Sequence, residues 1–300
     1  MKVSVIVTTY NSAENLRTSI PSVLTQDGNG SEFELEIIAV DNCSQDSTLD
    51  VLASYGIITL QNKRNTGGPN RGRNRGMEIS TGDVICFLDD DDVWAPNKVK
   101  EQLKYIKQVP IVTCACLTVS KQDQSEYLRG VKADEITYYE QDQTFLAKLR
   151  RDPKAQNSYM STIMISSDLK NVRFEEHFGS HDFDWLLRLF RNQSSIQINR
   201  NLATRFVHTS NLSRTSAFRV VDYHFAMLTI ESYSDSFPKE CKLCAERLNA
   251  TRAKFHYEMG QMDIARRFFK KSQWEVKTAL YYMSTYIGSD WVRKNHHVYG

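Results

Sequence analysis

No stretch of the 300-residue sequence reaches the roughly 18 uninterrupted apolar residues that a membrane-spanning helix needs. An excess of charge of one sign is missing too: 38 Lys+Arg stand against 36 Asp+Glu, a formal net charge of +2. That balance gives no support to chain-wide nucleic-acid binding, which calls for a basic field. A second C-x-x-C pair is absent. Cys241 and Cys244 form one such pair inside a helical pattern, whereas a structural zinc site wants four ligands. The six cysteines, unevenly spaced, read as ordinary reduced thiols and suit a cytoplasmic location. The N-terminus lacks the apolar length of a signal peptide, because residues 3–7 are followed at once by the polar Thr8-Thr9-Tyr10-Asn11. A first β-strand is expected there, in a protein that is not exported.

What is present is the composition of a folded protein, 25 % charged and 11 % aromatic. The length suits one large domain, or a domain of about 200 residues with a smaller one. Continuous apolar runs at 3–8, 35–40, 57–60, 84–88 and 111–119 alternate with helical patterns at 12–26, 45–55, 70–80 and 96–107. Ser12 with Asn15, Asp46 and Pro96 stand where those helices begin. Runs without polar alternation fit strands buried on both faces, hence an α/β domain with a mostly parallel sheet. Ligands of such sheets bind where the strand ends lead into helices. That rule picks out residues 8–11, 41–46, 62–74 and 89–94 as the walls of one cleft.

Beyond residue 120 the pattern is less regular, with an amphipathic segment at 142–150, a strand expected at 159–165 and a helix at 183–192. From residue 216 strand signals vanish, and helices are expected at 216–235, 239–260, 262–272 and 275–287. The turn around Gly260 looks like one tetratricopeptide hairpin, but a single unit makes no array, so 216–300 reads as an all-helical extension to a domain spanning 1–215.

The run Asp89-Asp90-Asp91-Asp92 after a buried strand is electrostatically costly, since like charges repel and desolvation makes the repulsion worse. A hard divalent cation such as Mg²⁺ or Mn²⁺ would neutralise it. Alternate residues of an extended segment point the same way, so Asp89 and Asp91 can face one ligand. A solvated acidic turn or an adventitious calcium site would present the same four residues. A haloacid-dehalogenase phosphatase also carries aspartates after a strand, but after its first one, and here the first strand ends in Thr8-Thr9-Tyr10-Asn11.

Five segments taken together, VSVIVTTYN (3–11), IIAVDNCSQDST (37–48), NTGGPNRGRNRGM (65–77), DVICFLDDDDVWAPNK (83–98) and HDFDWLLRLF (181–190), resemble the family 2 glycosyltransferases of the GT-A fold, in that family's order and spacing. The resemblance covers roughly residues 1–215 and implies a Rossmann-like α/β sheet flanked by helices. It implies roles residue by residue. Thr8 and Tyr10 match strand-end positions that contact base and ribose. Asp41 and Asn42 match the base-reading pair, with Asn42 where Asp is common. Asp89 and Asp91 match the D-x-D motif, with Asp91 a direct metal ligand and Asp89 a second ligand nearer the ribose or donor sugar. Asp90 falls between them on the nucleotide-sugar side, and Asp92 orients the loop or contacts the donor sugar. Arg73 and Asn74 flank the donor, where a guanidinium suits phosphate. Asp182 matches the catalytic base of an E-D motif, with His181 where Glu is usual. Asp184 fits a helix start, and Trp185 fits either the core or an acceptor-sugar platform. Arg205 and His208 resemble a Y-R-x-H segment that places His208 near metal or diphosphate.

The resemblance implies an inverting, metal-dependent transfer of a sugar from a nucleotide-sugar, of the UDP type, to a glycan or lipid-linked acceptor, as in bacterial surface polysaccharide synthesis. Two rivals stay open: a non-catalytic binding module of the same fold, and a sugar-phosphate nucleotidyltransferase, although the latter's Gly-rich basic loop after the first strand is absent. The basic extension, with Lys239, Lys242, Arg247, Arg252, Lys254, Arg266, Arg267, Lys270 and Lys271, is expected either to touch an anionic membrane surface peripherally or to cap the domain or make a homodimer.

Overall fold

Strands covered on both faces need no polar side, and the apolar runs behave accordingly in the computed structural model, which describes residues 1–177, 182–208 and 215–287. In chain order the elements are β1 (Lys2–Thr9), α1 (Ala13–Leu24), β2 (Glu34–Asp41), α2 (Thr48–Ser54), β3 (Ile58–Gln61), α3 (Asn70–Ile79), β4 (Val84–Asp89), β5 (Val93–Trp94), α4 (Lys98–Leu103), β6 (Ile111–Ser120), β7 (Glu126–Arg129), β8 (Ile136–Tyr139), α5 (Gln143–Leu149), β9 (Met164–Ser166), α6 (Phe183–Phe190) and β10 (Ser195–Val207). The helical extension follows as α7 (Ser216–Glu231), α8 (Pro238–Glu258), α9 (Met262–Phe269) and α10 (Val276–Ser284). Among the described residues none of these helices is long and apolar enough to cross a membrane.

The strands form one sheet in the order β3-β2-β1-β4-β9-β6-β10-β5, with β7 on β6 and β8 on β10. β3, β2, β1 and β4 pair in parallel. β9 is antiparallel to both β4 and β6, so β6 again runs with β4, and β10 pairs in parallel with β6. The predicted parallel core is therefore there, with one reversed strand wedged into it.

Register decides which side chains meet at the carboxyl edge. Thr8 pairs with Asp89, Thr9 with Asp41, and Asp41 with Gln61. One row of strand ends thus carries the residues that the sequence placed in a cleft. Asp46 fixes the next turn, accepting from Ala13 N at the start of α1 (3.3 Å) and from Thr48 N at the start of α2 (3.0 Å). Ser12, expected to cap α1, donates its hydroxyl to Tyr10 O instead.

Two expectations change. Residues 159–165 are not one strand: a single 3-10 turn covers Met160–Thr162, and only β9 is extended. β10, thirteen residues long, had no strand prediction. Its register shifts between Ile198, Asn201 and Ala203, and this irregularity interrupts the alternation that would have marked it.

The chain divides into two compact units, Met1–Phe145 with Lys154–Thr215, and Leu146–Pro153 with Ser216–Gly300. Leu146–Pro153 thus groups with the residues after 215. Within that second unit Arg247 donates to Arg150 O at 2.7 Å, and Ala253, Tyr257, Ala265, Phe269 and Tyr281 make its core.

Candidate active site

The acidic run is a tight turn between β4 and β5, closed by Asp92 N donating to Asp89 O at 3.0 Å. A turn cannot send four side chains one way. Asp90 points back to the end of β1 and accepts from Tyr10 N at 3.2 Å. Burial pushes its carboxyl up to about 7, with the charge of Asp91 adding to the effect. Asp92 is buried and accepts from Ser161 Oγ and from Phe206 N (3.3 Å), fastening the turn to β10. Burial also raises the Asp92 carboxyl well above the carboxylate range, helped by the charges of Asp89 and Asp91.

Asp89 and Asp91 are half-buried and have different cationic neighbours. Arg73, buried on α3, pairs with Asp89 Oδ1 at 2.7 Å and donates to Asn70 Oδ1 at 3.3 Å. Its Nε is buried with no hydrogen-bond partner among the described residues. His208, just past β10, lies with Nε2 3.0 Å from Asp91 Oδ2. Burial and the charge of Asp89 still hold the Asp91 carboxyl above its ordinary value against the pull of His208. Arg205 adds positive charge beside Asp92 and Asp89, yet the carboxylates of the turn still crowd one another.

That crowding, and a donor set of two carboxylates and an imidazole, fit a Mg²⁺- or Mn²⁺-type cation. Yet among the described residues no group of three His, Cys, Asp or Glu side chains is placed to hold a metal ion. The expected set Asp89, Asp91 and His208 is thus not a preformed cage: Asp91 and His208 come together, and Asp89 is turned to Arg73. Further ligands would have to come from bound substrate or water.

The other expected residues divide by what their side chains already hold. Tyr10 is exposed at the rim, above Asn11, whose positive φ of 50° and Oδ1 bond to Gln45 N shape the loop. Thr8 is buried, and α3 approaches it so closely that a Cβ on Gly72 would lie 3.0 Å from its methyl. Asp41 accepts from Cys43 N (3.1 Å), Ser44 N (3.1 Å) and Gln61 Nε2 (3.2 Å). Asn42 accepts from Asn62 Nδ2 (3.0 Å), Thr66 N (3.1 Å) and Thr66 Oγ1 (3.0 Å), and donates to Asn65 Oδ1 (3.1 Å). These two side chains brace the 43–45 and 62–68 loops, so a base in this cleft would meet residues they position. Asn74 similarly holds Phe174, accepting from its N and donating to its O.

Asp182 precedes α6 as its N-cap, with Leu186 N bonded to its carbonyl at 2.8 Å. His181 lies outside the described residues. Asp184 pairs with Arg188 one turn on. Trp185 is fully buried, stacked on Phe174 at 4.1 Å with Phe87 edge-on, so the sugar-platform alternative for it is excluded. Phe174 also lies under Arg73, 5.4 Å from its guanidinium carbon. This chain of contacts relates α6, and Asp182 at its start, to the Arg73–Asp89 pair.

Sequence reasoning did not find Ser161, which donates to Asp92 and accepts from Asp89 N at 3.1 Å. Nor did it find Tyr159, with the guanidinium of Arg205 4.4 Å and that of Arg129 5.1 Å from its ring centre. Both residues belong to the segment misread as strand, where no local motif marks them.

Three comparisons bear on this arrangement. The family model described as glycosyl transferase family 2 matches residues 4–173. The poly(ribitol-phosphate) beta-N-acetylglucosaminyltransferase TarS of Staphylococcus aureus is 34% identical over 112 residues, which are 36% of this chain and 19% of TarS. The match thus spans about a fifth of that relative's length. The uncharacterized glycosyltransferase RP339 of Rickettsia prowazekii is 27% identical over 228 residues, 74% of this chain and 69% of that protein. Among solved structures, S. aureus TarS 1–349 in complex with UDP-GlcNAc superposes with a TM-score of 0.67 at 17% identity, covering 99% of this chain and 92% of that one. The same fragment in complex with UDP gives 0.65 at 19% identity. The fold is of the GT-A type.

Proposed function

The chain belongs to glycosyl transferase family 2, and on that premise we propose that it moves a sugar from a UDP-sugar to a hydroxyl of a glycan or lipid-linked acceptor with inversion at the anomeric carbon. The observation that carries this reading is the crowded acidic turn of Asp89 and Asp91 on the carboxyl edge of the sheet, flanked by Arg73 and His208. A diphosphate with a divalent cation is the ligand that such a turn favours. The solved neighbours with bound UDP and UDP-GlcNAc support the choice of donor class.

Asp91 with His208, and Asp89 beside them, would hold Mn²⁺ or Mg²⁺. The cation, when bound, supplies charge stabilisation to the departing diphosphate. Arg73 is held by Asp89, Asn70 and the Phe174 ring, so its charge stays at the donor side without rearrangement. Asp182 takes the proton of the acceptor hydroxyl while that oxygen attacks the anomeric carbon, and the nucleoside diphosphate leaves from the opposite face. General-base help of this kind contributes roughly 10²–10⁴-fold.

The test is a melting-temperature screen of UDP-sugars with and without Mn²⁺, followed by transfer assays on Asp182→Asn. A UDP-sugar should raise the melting temperature, and more so with Mn²⁺. Transfer should vanish in Asp182→Asn while donor binding persists. Full turnover by Asp182→Asn would remove the proposed base, and indifference to every UDP-sugar would remove the donor class.

A further inference from the structure

α10 is inside out. Its buried positions are Thr278, Tyr281 and Ser284, with Thr285 just after it, so hydroxyl-bearing residues face the protein. Its exposed positions are apolar: Val276 is 81% accessible, Leu280 56%, Met283 64% and, just past its end, Ile287 57%. Spacings of four, three and four keep these residues on one narrow stripe of a helix. The turn is carried on past Ser284 by Tyr286 N to Met283 O and Ile287 N to Ser284 O, both at 3.1 Å. Beside the stripe runs an aromatic row, Trp274 against Tyr282 at 5.3 Å and Tyr282 against Tyr286 at 5.7 Å, and Trp274 is itself 56% accessible.

Single exposed apolar residues need no explanation, but four in register do. The charges around them indicate what covers them. Across 259–287 the basic residues are Arg266, Arg267, Lys270, Lys271 and Lys277, against Asp263 and Glu275. Arg266 is taken by Asp263. Arg267, Lys270, Lys271 and Lys277 are exposed and form no ion pair among the described residues. A second copy docked on the same stripe would bring two such sets of cations together, which opposes association.

We propose that α10 with the segment before it is a peripheral docking surface for an anionic lipid bilayer. The Val276–Leu280–Met283–Ile287 stripe enters the acyl boundary, Trp274 and Tyr286 sit at headgroup depth, and Lys270, Lys271 and Lys277 meet lipid phosphates. This is the arrangement by which an interfacial helix lies in the plane of a membrane without crossing it. It narrows the peripheral-contact alternative from the whole basic extension to one helix face. It does not depend on the glycosyltransferase reading.

The experiment is co-flotation of the full chain with phosphatidylcholine vesicles, with and without phosphatidylglycerol. The protein should float with the anionic vesicles only and be released by salt. Leu280→Gln with Met283→Gln should lower the bound fraction at least roughly tenfold, and so should the triple change of Lys270, Lys271 and Lys277 to Gln. All five side chains are exposed, so unchanged far-ultraviolet circular dichroism and melting temperature are expected of both variants. Three results each overturn the proposal: no flotation of the unaltered chain, equal flotation of the Leu280/Met283 variant, or a dimer in sedimentation that this variant dissociates.

Discussion

At the scale of single residues, Asp91 carries opposite demands for stability and function. Its carboxylate lies in a buried turn with Asp89 and Asp92, where burial and like charge raise all the charging costs. Asp91→Asn removes one of the repelling charges and keeps a group able to hydrogen-bond His208. We expect the melting temperature to hold or rise and the transfer rate to fall roughly 10²–10³-fold, the loss typical of removing one preorganised electrostatic group. A parallel thermal-melt and turnover measurement checks both halves. A variant that loses stability together with activity would make Asp91 a structural residue.

Glu36 is the contrasting carboxylate, fully satisfied by its neighbours. Burial works against its charge, but Lys2 Nζ at 2.6 Å, Thr81 N at 2.8 Å, and the Ser4 and Thr81 hydroxyls outweigh that and hold its carboxyl at about 2, down from 4.5. With the folded value below the unfolded one, its contribution is complete above the unfolded value. It is lost as pH falls from 4.5 toward 2. That contribution is on the order of 2–3 kcal/mol. Glu36→Gln should therefore lower the urea midpoint at neutral pH, and its gap from the unaltered chain should shrink as the solution is acidified through that window. A gap independent of pH would mean that packing, not charge, makes the residue matter.

At the scale of elements, α3 lies against β1 because it has glycine where they meet. A Cβ on Gly76 would stand 2.5 Å from Ile6 Cγ2, closer than packed atoms come, and Ile6 is buried in the sheet centre. Gly76→Ala gains helix propensity but overpacks this contact, so a net loss of about 1–3 kcal/mol is expected. Chemical denaturation reads it directly, and a stabilised variant would show that α3 can move away. Because α3 carries Arg73, the same substitution should also weaken donor binding.

Elements also show what the sequence could and could not reveal. β1, β2 and β4 were legible because each has a continuous apolar run that no other local structure buries as well, and α8 to α10 because helical periodicity persisted on both sides of Gly260. β5 has two residues, β9 three, and β7 is exposed throughout, so no local signal reached the length at which periodicity speaks. β5 and β9 exist through pairing with β10, β4 and β6, residues far away in the chain, and β7 through a hairpin with β6 that its exposed side chains do not announce. The site followed the same division. Asp89, Asp91, Arg73 and His208 stood in motifs and meet in space, whereas Ser161 and Tyr159 act by position alone.

At the scale of the whole chain, the question is why Leu146–Pro153 belongs with Ser216–Gly300. The segment leaves α5 through Arg151, whose φ is +51°, and Arg150 finds partners in the extension. Arg247 donates to Arg150 O at 2.7 Å, and Glu240 lies 3.9 Å from the Arg150 guanidinium. A chain ended after residue 215 would leave these groups to water while the sheet kept its pairing. Losing one such bond costs about 1 kcal/mol, and freeing an eight-residue segment costs more, so the shortened chain should melt several degrees lower. Arg247→Met in the full chain should reproduce a part of that shift, roughly the bond to Arg150 alone. Calorimetry on the three chains decides. If the shortened chain melts with the full one, residues 146–153 are held from elsewhere.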